Sequence, residues 1–201
     1  AGEFIVPELI RRASESYPEI ELRFVEGFSG ELYPKLLNHE ISLAIMHNPV
    51  PHPAITTTEL ITEHLCLVGP AGSLTRDRYS LSEAVALPLV LPDRPNYLRI
   101  LLDQYIDGSG VELNDHIRSD GVWITKSIVR AGLGYTLLTF GAVFSEVSNG
   151  LLDAVPIESP TVDWTLGVAM RVDQSSKRAL VVVEELIQAT VRDSLELGKW
   201  K

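Results

Sequence analysis

The chain has one cysteine among its 201 residues, Cys66, so no internal disulfide is possible. Cys66 lies in the apolar run Leu65 to Val68, where a free thiol is expected to be buried and inert. Long hydrophobic runs are also lacking, since the longest apolar stretches are far shorter than a membrane span. No basic-then-apolar signal segment opens the sequence, so we expect a cytoplasmic location, although a removed signal peptide would leave no trace.

Basic residues are few and scattered. The 17 Lys and Arg face 27 Asp and Glu, which gives a formal net charge of −10. That charge repels a phosphate backbone, and no dense run of Lys and Arg overcomes it locally. We therefore expect that the chain alone does not bind DNA. Its length and its 45% hydrophobic content allow one large α/β domain or two small lobes, each with a core.

Patterns that carry catalysis or metal binding are missing from the sequence. The five histidines show no metal-ligand spacing with a carboxylate, and they are His39, His47, His52, His64 and His116. No nucleophile elbow or phosphate-binding loop occurs either, while a triad assembled only in space would leave no pattern. We expect no metal, no cofactor and no enzyme activity.

The hydrophobic periodicity alternates between helical and strand spacing along the whole chain. The predicted helices are Val6–Tyr17, Leu32–Asn38, Tyr97–Ile106, Val122–Ala131, Ala142–Val147 and Lys177–Leu195. The predicted strands are Ile20–Val25, Ile41–Met46, Thr56–Leu60, His64–Val68, Leu87–Leu91, Val111–Ile117, Tyr135–Leu138, Leu151–Ile157 and Trp164–Met170. This order predicts an α/β fold with largely parallel sheets.

Glycine, proline and serine mark the expected boundaries. Breaks near Gly72 and Pro160 indicate that one lobe is inserted within another. Gly132 stands where a helix would end in a C-terminal cap. Ser175 or Ser176 is the expected N-cap of the last helix.

The junction Glu26 to Glu31 joins a predicted strand to a predicted helix and contains Gly27, Phe28, Ser29 and Gly30. Glycines let the backbone pass close to a guest, and Ser29 can cap the helix. Free N–H groups and the helix dipole favour an anionic or polar ligand at such a start. The junction therefore predicts a binding protein.

These segments, in their order and spacing, resemble the effector-binding domain of LysR-type bacterial transcription regulators over nearly the whole chain. The matching segments are Arg11–Leu22, Glu26–Leu32, Ile41–Ile45, Leu67–Pro70, Leu87–Pro92 and Val129–Tyr135. The resemblance implies the fold of periplasmic binding proteins, with two Rossmann-like lobes joined by two crossover strands and the second lobe inserted in the first. Lobe I is then expected at 1–71 and 162–201, and lobe II at 72–161.

Two departures from the family pattern are expected to matter. Such regulators begin with a helix-turn-helix and a linker helix, and their effector domain opens with a strand, whereas Ala1 to Phe4 leads directly into a helix. The chain is therefore interpreted as a fragment that lacks part of the usual ligand site. Thr139 and Phe140 stand where the family often has a proline.

The resemblance implies that an effector lies between the lobes, touched by helix starts and strand ends. In the first lobe, Ser29 matches a position whose hydroxyl commonly contacts the effector, the alternative being a simple N-cap. Gly27, Phe28 and Gly30 would shape the rim of the pocket. For Phe28, packing in the core competes with stacking on the ligand.

In the second lobe, Arg94 is the cation best placed to hold a carboxylate by paired hydrogen bonds. The alternatives for Arg94 are a solvated loop arginine or an ion pair with Asp93. Asn96 either contacts the ligand or caps the following helix.

Further second-lobe candidates lie at the next two helix starts. Thr125 is a candidate contact, whereas Lys126 is interpreted as a surface charge. Thr139 and Phe140 would close the pocket wall or pack inside the lobe.

The sequence thus predicts an allosteric sensor that binds a small-molecule effector, an organic acid or an amino acid. By resemblance, a homodimer would pair the helix Val6–Tyr17 with the strand Ile20–Val25, and a tetramer is possible at full length. DNA would be bound only through an N-terminal domain absent from this sequence, and no membrane is involved. The alternatives are a solute-binding receptor of a transport system and an enzyme built on the same fold.

Overall fold

The computed structural model describes residues 2–107 and 112–198. The chain divides into two compact units, and it changes unit between Thr62 and Glu63 and again between Asp163 and Trp164. The first unit contains the described residues before Glu63 and those after Asp163, and the second contains those between. The lobe boundaries expected from the sequence, 1–71 with 162–201 and 72–161, stay a prediction.

Seven α-helices and eight strands follow one another in the described residues. The helices are α1 Gly2–Ser16, α2 Ser29–Leu37, α3 Leu81–Val85, α4 Tyr97–Ile106, α5 Val122–Arg130, α6 Phe140–Ser148 and α7 Arg178–Glu196. The strands are β1 Leu43–His47, β2 Ile55–Pro70, β3 Tyr79–Ser80, β4 Val90–Leu91, β5 Ile117–Arg118, β6 Thr136–Thr139, β7 Leu152–Glu158 and β8 Asp163–Arg171.

The core of the first unit forms where α1 and α7 pack on the sheet. β1 pairs antiparallel with β8, and β8 also neighbours β2. One cluster joins the two helices to β8 through Ile5, Leu9, Leu166, Val168, Val183, Ile187 and Val191. A second cluster holds α2 against β1 through Leu32, Leu36, Ala44, Met46, Ile55 and Ala169. This second cluster fixes the place where α2 begins.

The sheet pairing of the second unit combines both directions. The second half of β2 pairs antiparallel with β6 and with β7, whereas β3 pairs parallel with β7 and β4 pairs parallel with β5. The prediction of largely parallel sheets is therefore wrong for the long pairings. Alternation with helices requires parallel pairing only of strands joined by a crossover helix, and β2 instead pairs with strands far along the chain.

Several local predictions are confirmed by the structure. Cys66 is buried, in a cluster with Val68, Val129, Val143 and Leu152. Gly132 follows α5 with φ +77°, as a C-terminal cap requires. The two strands predicted around Thr57 and Cys66 form the single strand β2.

Two local predictions are wrong. The last helix begins at Arg178 after Lys177, and the Ser175 hydroxyl instead donates to the Val172 carbonyl oxygen. The predicted strand Ile20–Val25 has no strand pairing in the structure. Its alternation is real, since Ile20 and Leu22 pack against the first core, but a strand also needs a hydrogen-bonded neighbour.

One predicted strand lies partly outside the described residues, and two short elements were not predicted. Val111, the start of that strand, falls in the part that the structure does not describe, and only Ile117–Arg118 forms a strand there. The short elements β3 and α3 had no counterpart in the sequence prediction, although Ser80 and Glu83 form a capping box at the start of α3.

No helix in the described part of the chain is long and apolar enough to cross a bilayer. Within the same residues, no three His, Cys, Asp or Glu side chains are grouped so that they could hold a metal ion.

An ion-pair cluster on α1 predicts how acid affects stability. Hydrogen bonds from Arg11 and Arg12 lower the pKa of Glu8 to about 2, and Arg12 also pairs with Asp193 of α7. A lowered folded-state pKa stabilises the fold above the unfolded pKa and loses that contribution as pH falls through the folded value. We expect Glu8→Gln to be less stable than the parent at pH 7.

The difference in free energy of unfolding between the parent and Glu8→Gln should shrink as pH falls from about 4.5 to about 2, because the Glu8 carboxylate of the parent is then protonated and loses its charge. Urea unfolding of both proteins at a series of pH values measures it. A difference that stays constant across this range would contradict the assignment. Glu15→Gln, which removes another carboxylate paired to Arg11, is the matched control for surface charge.

Candidate functional site

The start of α2 is built around Ser29. The helix begins at this residue, and its N-cap is Phe28, so the prediction that Ser29 caps the helix is wrong. The Ser29 hydroxyl instead donates to the His47 carbonyl oxygen at the end of β1, at 3.1 Å. Because that bond uses only the proton, the oxygen lone pairs can still accept a hydrogen bond from a guest.

The two glycines near Ser29 differ in the space around them: the side at Gly30 is open, and the side at Gly27 is filled by Glu31. Gly30 is exposed, and a Cβ atom added there would meet no heavy atom within 4 Å. At Gly27 a Cβ would lie 2.8 Å from Glu31 Oε2. The Glu31 carboxylate accepts the Phe28 backbone N–H at 3.2 Å and supplies negative charge at the helix start. A neutral polar group therefore suits this place better than an anion.

Two residues at the end of β1 were missed by the sequence reasoning. The His47 ring lies 6.1 Å from that of Trp164, centroid to centroid. Asn48 adopts a left-handed φ of +45°, and its Oδ1 accepts the Thr165 N–H at 3.0 Å. The Asn48 Nδ2 atom is buried without a hydrogen-bond partner among the residues that the structure describes. Their position at the end of an apolar predicted strand, Ile41–Met46, was the signal that could have found them.

In the second unit, Arg94 lies in the loop between β4 and α4 with 69% of its side chain exposed. Its Nε and Nη2 atoms both contact Asp103 Oδ2 at 2.7 Å. Asp93, the ion-pair partner considered from the sequence, instead accepts the Arg94 backbone N–H at 2.9 Å. Arg94 is therefore accessible but already engaged.

Asn96 caps α4, because its Oδ1 accepts the Leu98 N–H at 3.0 Å. This was one of the two roles considered for it. The cap uses the side-chain oxygen, and the Asn96 amide nitrogen keeps two donors for a second role.

The α5 helix carries two buried polar side chains in its first turns. The Thr125 hydroxyl donates to Ser119 Oγ at 3.0 Å. Lys126 is buried, and its Nζ lies 2.7 Å from Glu146 Oε1 and 3.2 Å from the Ala142 carbonyl oxygen. The prediction that Lys126 is a surface charge is wrong, because α6 places a carboxylate and a carbonyl group against it.

The start of α6 holds Thr139 and Phe140. Thr139 is buried as the N-cap residue, and the Phe140 ring packs 6.0 Å from the Phe144 ring in an edge-on arrangement. Glu63, which sequence reasoning missed, is buried and accepts the Gly141 N–H at 3.2 Å. This helix start therefore already has a side-chain acceptor for its backbone N–H.

The second-unit candidates share one edge of a parallel strand arrangement. β4 pairs parallel with β5, and Leu89 bridges Tyr135 in parallel just before β6. Because parallel strands end on the same side, the starts of α4, α5 and α6 lie at that side together. Those starts carry Arg94, Asn96, Thr125, Thr139 and Phe140, whereas Gly27, Phe28, Ser29 and Gly30 belong to the first unit.

Comparison with known proteins gives consistent results. The LysR substrate binding domain family matches residues 1–191. The transcriptional regulator BbuR of Bordetella bronchiseptica is 26% identical over 100% of this chain and 62% of its own length. The regulator CbbR of Sinorhizobium medicae is 23% identical over 92% of this chain and 60% of its own. The chain thus spans about three fifths of the length of these relatives.

Solved structures of this family share the fold. OxyR of Corynebacterium glutamicum superposes with a TM-score of 0.79 at 22% identity, covering 98% of this chain and 63% of that one. The effector-binding domain of QuiR, solved with shikimate, gives 0.77 at 17% identity, covering 94% of this chain and 90% of that one. The predicted α/β fold class is confirmed.

The family and the curated relatives are transcription regulators and not enzymes, and the family match extends over 191 of the 201 residues. The chain therefore belongs to the LysR substrate-binding-domain family.

Proposed function

We propose that this chain is the ligand-sensing domain of a bacterial LysR-type transcription regulator. The observation that carries the proposal is the family match over residues 1–191. BbuR and CbbR, which are both transcription regulators, are similar to the chain over 100% and 92% of its length. With a net charge of −10, the chain is a poor match for DNA by itself. DNA contact would belong to another part of such a regulator, which would act in the cytoplasm.

The proposed effector is a small organic acid or amino acid with polar groups beside its carboxylate. Arg94 offers an exposed guanidinium, which suits a carboxylate. The Ser29 hydroxyl and the open side at Gly30 suit a neutral polar group. The shikimate held by QuiR belongs to the same chemical class.

A solute-binding receptor for transport is the second candidate, because it would use the same fold. The curated relatives favour the regulator, since BbuR and CbbR are both regulators of transcription and match most of this chain.

The proposed homodimer uses α1 and the unpaired segment that follows it. Three large apolar residues are exposed there: Ile10 on α1 at 42%, Phe24 at 46% and Val25 at 39%. Residues 21–27 carry no regular structure and have no strand pairing in the described part of the chain, so this stretch can pair with a second copy. This supports the helix Val6–Tyr17 and the segment Ile20–Val25 as the dimer contact.

The effector proposal is tested by a thermal-shift screen of the chain against amino acids, aromatic acids and small carboxylates. For an acid that binds, we expect Ser29→Ala to raise Kd by about fivefold, since one hydrogen bond contributes about 1 kcal/mol. Isothermal titration measures this, and Ser176→Ala, at an exposed serine, is the matched control. Equal affinity of the parent and Ser29→Ala would remove Ser29 from the site.

Gly30→Ala separates binding from stability. Because the added methyl group meets open space, we expect about 0.5–1 kcal/mol of added helix stability from the better propensity of alanine. The same methyl group should weaken binding of the acid, because it occupies the side left open for the guest. Urea unfolding and titration of the one variant check both effects, and tighter or unchanged binding would count against the site.

The dimer proposal is tested by sedimentation. We expect the parent to be a dimer at micromolar concentration and Phe24→Lys to be a monomer, because the lysine charge would have to be buried in the contact. Leu133→Lys, at a 63% exposed leucine of the second unit, is the matched control and should stay dimeric. A monomeric parent at high concentration would exclude this contact.

A further inference from the structure

Six charged side chains of the second unit form a closed ring, which we name the charge ring. Its members alternate in sign and are Arg94, Asp103, Arg99, Asp115, Arg118 and Asp93. The ring closes through the backbone, because Asp93 Oδ1 accepts the Arg94 N–H at 2.9 Å. It ties the loop after β4 to α4 and to β5, and its formal charges cancel.

The charge ring has a buried side and an exposed side. Arg99, Asp103 and Asp115 expose only 14%, 16% and 17% of their side chains. Arg94, in contrast, is 69% exposed. Burial raises the pKa of Asp103, but the hydrogen bonds from Arg99 and Arg94 together lower it by more than burial raises it. The pKa is therefore below its usual value, and this carboxyl group stays charged. Arg94 is thus an exposed cation held by a largely buried anion.

The link between Arg94 and Asp103 can open without leaving the buried Asp103 carboxylate unpaired. Asp103 uses its two oxygens separately: Oδ1 accepts from Arg99 Nε at 2.8 Å, and Oδ2 contacts Arg94 at 2.7 Å. When Arg94 leaves, the Asp103 carboxylate keeps its buried partner Arg99. An ion pair with an exposed partner contributes little, whereas an unpaired buried charge is costly.

The geometry of the link also sets what can replace Asp103. The Nε and Nη2 atoms of Arg94 form a fork that can bind the two oxygens of a carboxylate through two parallel hydrogen bonds. In the structure both atoms contact a single oxygen of Asp103. A carboxylate from solution would engage the same fork with both of its oxygens. Arg94 and Asp103 also line one open cleft together with Ile100 and Gln104, so a solute can reach the pair.

We infer that Asp103 competes with an incoming carboxylate for the Arg94 guanidinium. When the carboxylate binds Arg94, Asp103 keeps only its ion pair with Arg99. This exchange sets the affinity of the second unit for acids. The inference rests on the proposed role of Arg94 in binding an acidic effector. Asp103 is then a specificity-determining residue that need not touch the effector.

The test follows the side-chain Nε–Hε NMR signal of Arg94 in the 201-residue chain as sodium acetate replaces sodium chloride at constant ionic strength. Arg94→Lys identifies the signal by removing it. We expect Asp103→Asn to lower the half-saturating acetate concentration by about fivefold, the effect of losing one competing ion pair with an exposed partner.

Asp115→Asn is the matched control, because it also removes one negative charge from the ring but does not touch Arg94. It should leave the acetate titration within about twofold of the parent. The inference is overturned if Asp103→Asn and the parent titrate alike, if Asp115→Asn gives the same gain, or if acetate shifts the Arg94 signal in no variant. Asp103→Ser replaces Asp103→Asn if the latter is unfolded.

The acetate titration does not involve Ser29 or the natural effector, so the two proposals fail separately. Unchanged acetate affinity together with weaker effector binding by Ser29→Ala would remove the competitor role and leave the sensor function standing. The opposite pair of results would keep the competitor and remove Ser29 from the effector site.

Discussion

The first turn of a helix has N–H groups without partners inside the helix, and every candidate contact in this chain lies in or close to such a turn. The structure satisfies these groups differently from one helix to the next. At α4 the amide oxygen of Asn96 does so, and at α6 the buried carboxylate of Glu63 does so. At α2 the Glu31 carboxylate accepts the N–H of Phe28, the residue before the helix, and Gly30 beside it faces open space. The α2 start is therefore the one of these three with the most room for a guest.

Charge divides the proposed roles further. The Glu31 carboxylate at the start of α2 works against an anion there, because two like charges would share one helix end. At the start of α6, the Glu63 side chain already accepts the Gly141 N–H that a guest would use. Arg94 remains the place where a carboxylate gains most, since its guanidinium is exposed and its present partner has another arginine. Charge therefore favours a neutral polar group at the start of α2 and a carboxylate at Arg94.

Much of the element order was predictable because apolar spacing records which face is buried. The α4 helix was predicted with its observed bounds, Tyr97–Ile106, and Cys66 lies in the core as its apolar neighbours indicated. Contacts made by distant side chains were not predictable. Nothing near Lys126 in sequence reveals that Glu146 lies 2.7 Å away, and nothing near Arg94 reveals Asp103 as its partner. The sequence could therefore indicate which polar residues stand near helix starts. It could not indicate which partners those residues bond to, because the fold decides that.

The segment Ile20–Val25 shows how a correct pattern led to a wrong element. Alternation places Ile20, Leu22 and Phe24 on one face, and the first two do pack against the core of the first unit. Phe24 continues the same face but remains 46% exposed, because that core ends before it. An apolar side chain in register with half-buried ones, on a backbone without strand pairing, has the features of an edge that a second chain completes. The alternation therefore describes the proposed assembly better than it describes the single chain.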